Sequence, residues 1–159
     1  MVLNIYTDGG ARGNPGPAAC AFVAYDSAGN LRAKCGKPLD SFGLAQDKFA
    51  RGKYLGIATN NEAEYEGVIE ALKWLISDLS NLGDLRCLGV NFFLDSVLVA
   101  NQIRGLFKVK EPRLRDKLVT IRQLENQLSP AAISYTVIPR EQNLKADLLV
   151  NETLNAQMR

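Results

Sequence analysis

The sequence predicts an α/β fold with the element order βββαβααβα. Three observations carry this expectation: apolar, β-rich runs separated by turn residues near the start, two long segments with apolar residues at helical spacing, and apolar strands in the second half that each lead into a helix-starting residue. Strands joined by tight turns pair antiparallel, whereas strands joined through helices run parallel, so both kinds of pairing are expected.

The first strands are 2–7 (VLNIYT), 18–25 (AACAFVAY) and roughly 31–38, with turn chemistry between them that includes Ala28-Gly29-Asn30. Residues 39–53 mix polar, glycine and aromatic residues without periodicity and read as an inserted loop with at most a short helical turn. The spacing then predicts a helix over 61–79. Thr59-Asn60-Asn61-Glu62 matches a capping box, and Val68, Ala71, Leu72, Leu75, Ile76 and Leu79 recur at helical intervals. Strand 88–94 (LGVNFFL) runs into Asp95, after which Ser96 caps a short helix through Val99 and Ile103. A second long helix uses Leu114, Leu118, Ile121, Leu124 and Leu128. Strand 131–138 stops before Pro139, and Asn143 suits the N-cap of a last helix bearing Asp147, Val150 and Leu154.

At 159 residues and 47% hydrophobic composition, the chain suits one core and one domain, 1–159. It opens as a strand rather than as a secretory signal, and no apolar stretch approaches the ~18 residues of a membrane span. Cys20, Cys35 and Cys87 are odd in number and widely spaced, which suggests neither a disulfide framework nor a zinc site and fits a reducing, cytoplasmic setting. A monomer is expected. The absence of histidine removes the commonest general base and the usual nucleophile-histidine mechanisms, so any catalysis must rest on carboxylates, metals or lysines. Net charge is only +2, yet residues 104–122 carry seven basic residues against two acidic ones. That segment is either a polyanion-facing patch or a solvated helix face.

The stretch YTDGGARGNPGP at 6–17 resembles neither a dinucleotide fingerprint, because the next regular element is a strand, nor a Walker loop, because it lacks a Gly-Lys-Ser/Thr ending. It reads as a hairpin of unusually bare backbone with Asp8 at the strand end before it. On the helix wheel Glu64 lies within about 80° of the apolar stripe, whereas Glu62, Glu66 and Glu70 fall on the opposite side with Lys73. Asp95 ends an apolar strand, and Asp147 shares the inward face of Val150 and Leu154. Four inward acids, each at the edge of a different core element, suggest convergence. Hard oxygen ligands without histidine or cysteine suit Mg²⁺ or Mn²⁺, and two such ions ~4 Å apart can support phosphodiester hydrolysis without a protein base.

These residues resemble type 1 ribonuclease H in four blocks: Y-T-D-G-G-x-x-G-N-P-G-P at 6–17, T-N-N-x-x-E-Y at 59–65, L-D-S at 94–96 and N-x-x-A-D at 143–147. The resemblance implies a five-stranded mixed β-sheet flanked by helices and a metal-dependent endonuclease that hydrolyses the RNA strand of RNA/DNA hybrids by a two-metal-ion mechanism. It places the metal-binding, catalytic carboxylates on Asp8, Glu64, Asp95 and Asp147, with two Mg²⁺ ions, or Mn²⁺, bound alongside substrate. Backbone around Gly9, Gly10 and Ala11, with Gly13 and Asn14, would lie along the RNA, where the 2′-hydroxyl distinguishes RNA from DNA. Thr59 would meet a DNA phosphate, and Asn60 and Asn61 the minor groove. The hybrid would be bound largely without regard to sequence. Two features depart from the family. Arg140 stands where many relatives carry a loop histidine, and at most it positions phosphate. A tryptophan-rich basic handle is missing, and segment 104–122 is the candidate to substitute for it. A resolvase- or integrase-like relative acting on DNA, and a hybrid-binding module without catalysis, are the rival readings.

Overall fold

The computed structural model describes residues 1–26, 50–78 and 84–159. Five strands form one sheet in the order β3-β2-β1-β4-β5: β1 is Val2–Ala11, β2 Gly16–Asp26, β3 Ala50–Ala58, β4 Gly89–Leu94 and β5 Ala132–Val137. The hairpin pairs β1 with β2 antiparallel, and β2 pairs antiparallel with β3. β1–β4 and β4–β5 are parallel, as their helical connections require. The helices are α1 (Asn60–Ser77), α2 (Val97–Ile103), α3 (Pro112–Leu128) and α4 (Leu144–Gln157), with single 3₁₀ turns at Leu85–Cys87 and Arg140–Gln142. The expected order and the mixed sheet are both present.

Two core layers cover the sheet. On one face, Leu3, Ile5, Phe22, Val90 and Phe92 meet Val68, Leu72 and Leu75 of α1 and Leu114, Ile121 and Leu128 of α3. On the other, Ala19, Ala21 and Val23 of β2 meet Leu149, Val150 and Leu154 of α4. α4 covers β1, β2 and β3, so the aromatic rings of Tyr6 and Phe93 stack on that side 4.9 Å apart, beyond the layer formed by its apolar stripe. Among the described residues no helix is long and apolar enough to cross a membrane.

Three sequence expectations need correction. The strand anticipated near 31–38 lies outside the described residues, and the third strand observed is Ala50–Ala58, so residues 50–53 are strand rather than loop. This strand is a sheet edge with four residues exposed at scattered positions, which erases the alternation that would reveal it. Asn143 stands at the N-cap position of α4 but makes no capping bond. Its side chain crosses to the sheet instead, donating to the Thr7 carbonyl at 2.9 Å. Finally, Glu62 and Glu70 are buried along with Glu64, because α3 and Lys53 cover the side of α1 that the wheel left to solvent. Lys53 reaches Glu70 at 2.8 Å, Lys117 reaches Glu66 at 2.6 Å, and Arg113 stands 3.8 Å from Glu62.

Candidate active site

The sheet brings Asp8 and Asp95 to one level by register. Tyr6 pairs with Phe93, so two residues further on the two acids leave neighbouring parallel strands side by side. Asp8 lies three residues inside the end of β1 rather than at its last position, because the hairpin ladder continues to Ala11 opposite Ala18. Glu64 arrives from the first turns of α1. The capping box holds that end: the Thr59 hydroxyl accepts from the Glu62 N–H at 3.2 Å, and the Glu62 carboxylate accepts from the Thr59 N–H at 2.8 Å. Thr59 thereby commits one of its hydroxyl lone pairs to the helix.

Glycine sets how closely the helix approaches. A Cβ on Gly9 would collide with the Ala63 carbonyl and the Glu64 nitrogen, and one on Gly67 would stand 2.9 Å from the Asp8 carbonyl oxygen. Both backbones must therefore be bare where they cross. Helix packing by itself demands a bare Gly9, whatever its backbone does toward a substrate. Gly67 was not singled out from the sequence, although a small residue three positions after Glu64 is the available sign of a close crossing.

One carboxylate oxygen each from Asp8, Glu64 and Asp95 lie within 4.8 Å of one another. Asp147, half-buried in the first turn of α4, lines the same cleft outside this tight trio. Burial pushes Asp8 up from 3.8 to about 7, with the nearby Asp95 charge adding to it, while the Gly9 N–H and a hydrogen bond with Glu64 pull the other way. Burial, then the charges of Asp8 and Asp95, hold Glu64 well above the usual carboxylate range, with Arg140 opposing. Glu64 Oε2 is buried without a hydrogen-bond partner. An orphaned carboxylate oxygen beside two further carboxylates is costly for the protein alone and suits a divalent cation with hard oxygen ligands. The donor set, the spacing and the orphaned atom therefore fit Mg²⁺ or Mn²⁺.

The cleft holds about 470 Å³ and is lined by Gly9, Gly10, Ala11, Asn60, Asn61, Arg140 and the four acids, joined by Arg12 and Asn151. Thr59, Gly13 and Asn14 lie outside that lining. Asn60 ties the hairpin to α1: its Oδ1 accepts from the Ala11 N–H at 2.8 Å, and its own N–H donates to Asn14 Oδ1 at 3.1 Å. The Ala11 N–H is consequently committed, while the amide NH₂ groups of Asn14 and Asn60 have no acceptor among the described residues. Gly13 takes φ +95 in the turn, where a side chain would be strained. Asn143, buried at 1% exposure, also points its amide at Asp95 Oδ2, 3.4 Å away. The sequence marked it only as a cap.

The basic segment divides in two. Arg113, Lys117 and Arg122 of α3 face Glu62, Glu66 and Glu125, whereas Lys108 and Lys110, in the loop before α3, have no acidic partner within 4.0 Å among the described residues. Three of the helical cations are thus paired, whereas Arg115 donates to the Lys110 carbonyl at 2.6 Å and keeps its charge with the loop.

The chain matches the family described as Reverse transcriptase-like over residues 6–153. It is 34% identical to ribonuclease HI of Halobacterium salinarum over 153 residues, 96% of this chain and 64% of that protein. It spans only 36% of the length of the mycobacterial relatives it matches. Among solved structures, LC11-RNase H1 in complex with an RNA/DNA hybrid superposes with a TM-score of 0.80 at 37% identity, covering 99% of both chains. The amino-terminal RNase H domain of a Mycobacterium tuberculosis protein superposes with a TM-score of 0.76 at 32% identity, over 98% of this chain and 95% of that one. On the family match across most of its length and the superposition on ribonuclease H1 structures at more than 30% identity, the chain belongs to the type 1 ribonuclease H family.

Proposed function

We propose that this chain is an endonuclease that hydrolyses the RNA strand of RNA/DNA hybrids with divalent metal held by Asp8, Glu64, Asp95 and Asp147. The observation that carries the reading is the convergence of three carboxylates around a buried Glu64 oxygen that has no protein partner. Two Mg²⁺ ions, when bound, supply the charge that activates water and stabilises the departing oxygen, which removes any need for a histidine. The protein's own part is positioning. Asp8 and Asp95 present oxygens from adjacent strands, Glu64 closes the set from above, and Asp147 adds charge from α4. Asn143 fixes Asp95 from behind and ties it to the β1 backbone.

Arg140, whose charge reaches Glu64, orients a phosphate at the cleft wall without moving a proton near neutral pH. The bare β1 backbone at Gly9 and Gly10 admits the RNA strand closely, and the open amide of Asn14 can meet a 2′-hydroxyl. Asn60 and Asn61 face the same cleft from α1, and Thr59 before them, whose hydroxyl also bonds the Glu62 carboxylate, is the residue for a DNA phosphate. Backbone and sugar contacts of this kind carry little sequence preference. The setting is the cytoplasm and the working unit a monomer.

The test is Mg²⁺-dependent degradation of end-labelled strands in a hybrid, a DNA duplex and an RNA duplex. Internal cuts in the RNA of the hybrid alone are expected. Cleavage of duplex DNA would favour a resolvase-like activity, and hybrid binding without cleavage a binding module; either overturns the proposal.

A further inference from the structure

Arg12 stands in the glycine-rich turn between β1 and β2 and lines the cleft together with Asn151 and Leu154 of α4. Its backbone is held by an N–H bond to the Pro17 carbonyl at 2.8 Å. Its guanidinium donates to Asn155 Oδ1 and to the Met158 sulfur, both at the carboxyl-terminal end of α4. Neither partner is charged, and among the described residues no carboxylate lies within salt-bridge distance. A guanidinium has five N–H donors, and these two bonds use two of them. The negative end of the α4 dipole favours a cation at this point. The side chain is exposed, is directed toward the end of α4 by these two bonds, has no paired carboxylate among the described residues, and keeps donors for something else.

Arg12 and the carboxylates occupy opposite ends of one wall. Asp147 and Asn155 are eight residues apart on α4, about 12 Å along its axis at ~1.5 Å per residue. A strand held at the carboxylates and running along α4 would pass the guanidinium a few nucleotides away. Planar, bidentate recognition of phosphate is what a fixed guanidinium does best.

Resting on the function proposed above, we infer that Arg12 is a phosphate-binding residue for the cleaved RNA strand, clamped by Asn155 and Met158 so that it grips the backbone several nucleotides from the cut. The competing explanation is a purely structural tie between the hairpin and α4.

Three variants separate the two: Arg12→Gln, which removes the charge, Asn155→Ala, which loosens the clamp and keeps the charge, and Arg86→Gln, a charge-matched control at the opposite end of the sheet, where Arg86 pairs with Asp84. KM is measured on an 18-base-pair RNA/DNA hybrid across a salt series, alongside thermal melts. Arg12→Gln should raise KM about tenfold, the scale of one charge-assisted contact, and lower the log-log salt slope by ~0.9. The loss should fall on KM more than on kcat. Asn155→Ala should raise KM less and keep the full slope, and Arg86→Gln should keep both. The Arg12→Gln defect should vanish when the RNA strand is shortened at one end and persist when the DNA strand is shortened there. A lower melting temperature in Arg12→Gln with unchanged KM and slope would make Arg12 structural and overturn the assignment. Wild-type protein that cuts no hybrid would instead overturn the function on which it rests.

Discussion

Asp8→Asn should inactivate the protein and, in the absence of metal, make it more stable. The side chain is 3% exposed and its folded-state carboxyl titrates at about 7 against 3.8 when unperturbed, with burial as the main cause. At 1.36 kcal/mol per pH unit, keeping that group ionised costs the folded state at most about 4 kcal/mol. The sign follows from which state holds the proton more tightly. The folded state does, so the stability tied to Asp8 is fully present below pH 3.8, declines as pH rises, and is lost above about 7. Asparagine has no such loss. The variant's advantage should be near zero at pH 3.5, about 2 kcal/mol at pH 5, and up to about 4 kcal/mol at pH 8, or on the order of 10 °C in melting temperature for a chain of this size. Added Mg²⁺ should raise the melting temperature of wild type and leave the variant unmoved. Melts at three pH values with and without Mg²⁺, and turnover on a labelled hybrid, measure all of this. Hybrid binding should persist, because phosphate contacts outnumber the single charge removed. A stability gain that ignores pH, or turnover above a tenth of wild type, would refute the assignment of Asp8 to the metal site.

The three glutamates of α1 offer a comparison of direction within one helix. Glu64→Gln should lower turnover at least ~100-fold, about 2.7 kcal/mol of transition-state stabilisation, without loss of thermal stability. Glu62→Gln should cost on the order of 1 kcal/mol through the capping box, and Glu66→Gln less, since its ion pair with Lys117 is partly solvated; parallel melts and rates check both. Gly9→Ala should destabilise by about 2–3 kcal/mol in urea titrations and reduce turnover, because the added methyl collides with the α1 backbone that carries Glu64. Neutralising Lys108, Lys110 and Arg115 together should lower the salt slope of hybrid binding by ~2–3, at ~0.9 per phosphate contact, whereas neutralising Arg113, Lys117 and Arg122 should chiefly cost stability.

Much of the site was readable because each acid interrupts a pattern. Asp8 and Asp95 break apolar strands, and Glu64 breaks an apolar helix stripe, so a core face and a charge coincide at one residue. The edge strand β3 escaped notice because an exposed edge, paired on one side and loosely covered, imposes no alternation. Glu62 and Glu70 were placed in solvent because the wheel of one helix cannot reveal that a second helix will lie against it. Asn143 was read as a cap because its sequence neighbours allow that role. Only the folded sheet reveals the Thr7 carbonyl as a better partner. Gly67 and Arg12 left weak signs, a small residue and a lone cation, whose meaning depends on what crosses them in space.

The glycine crossing between β1 and α1 bears on how such a protein can adapt to temperature. Gly9 and Gly67 let main chain rest on main chain, so the span from Asp8 to Glu64 is fixed by peptide groups rather than by the size of any side chain. Substitutions in the layer of Val68, Leu72 and Phe92 can then alter how many molecules are folded without altering the distance between the two acids in those that are. Lineages drifting toward hotter or colder habitats could rework that layer freely, and the catalytic rate of each folded molecule would be inherited almost intact.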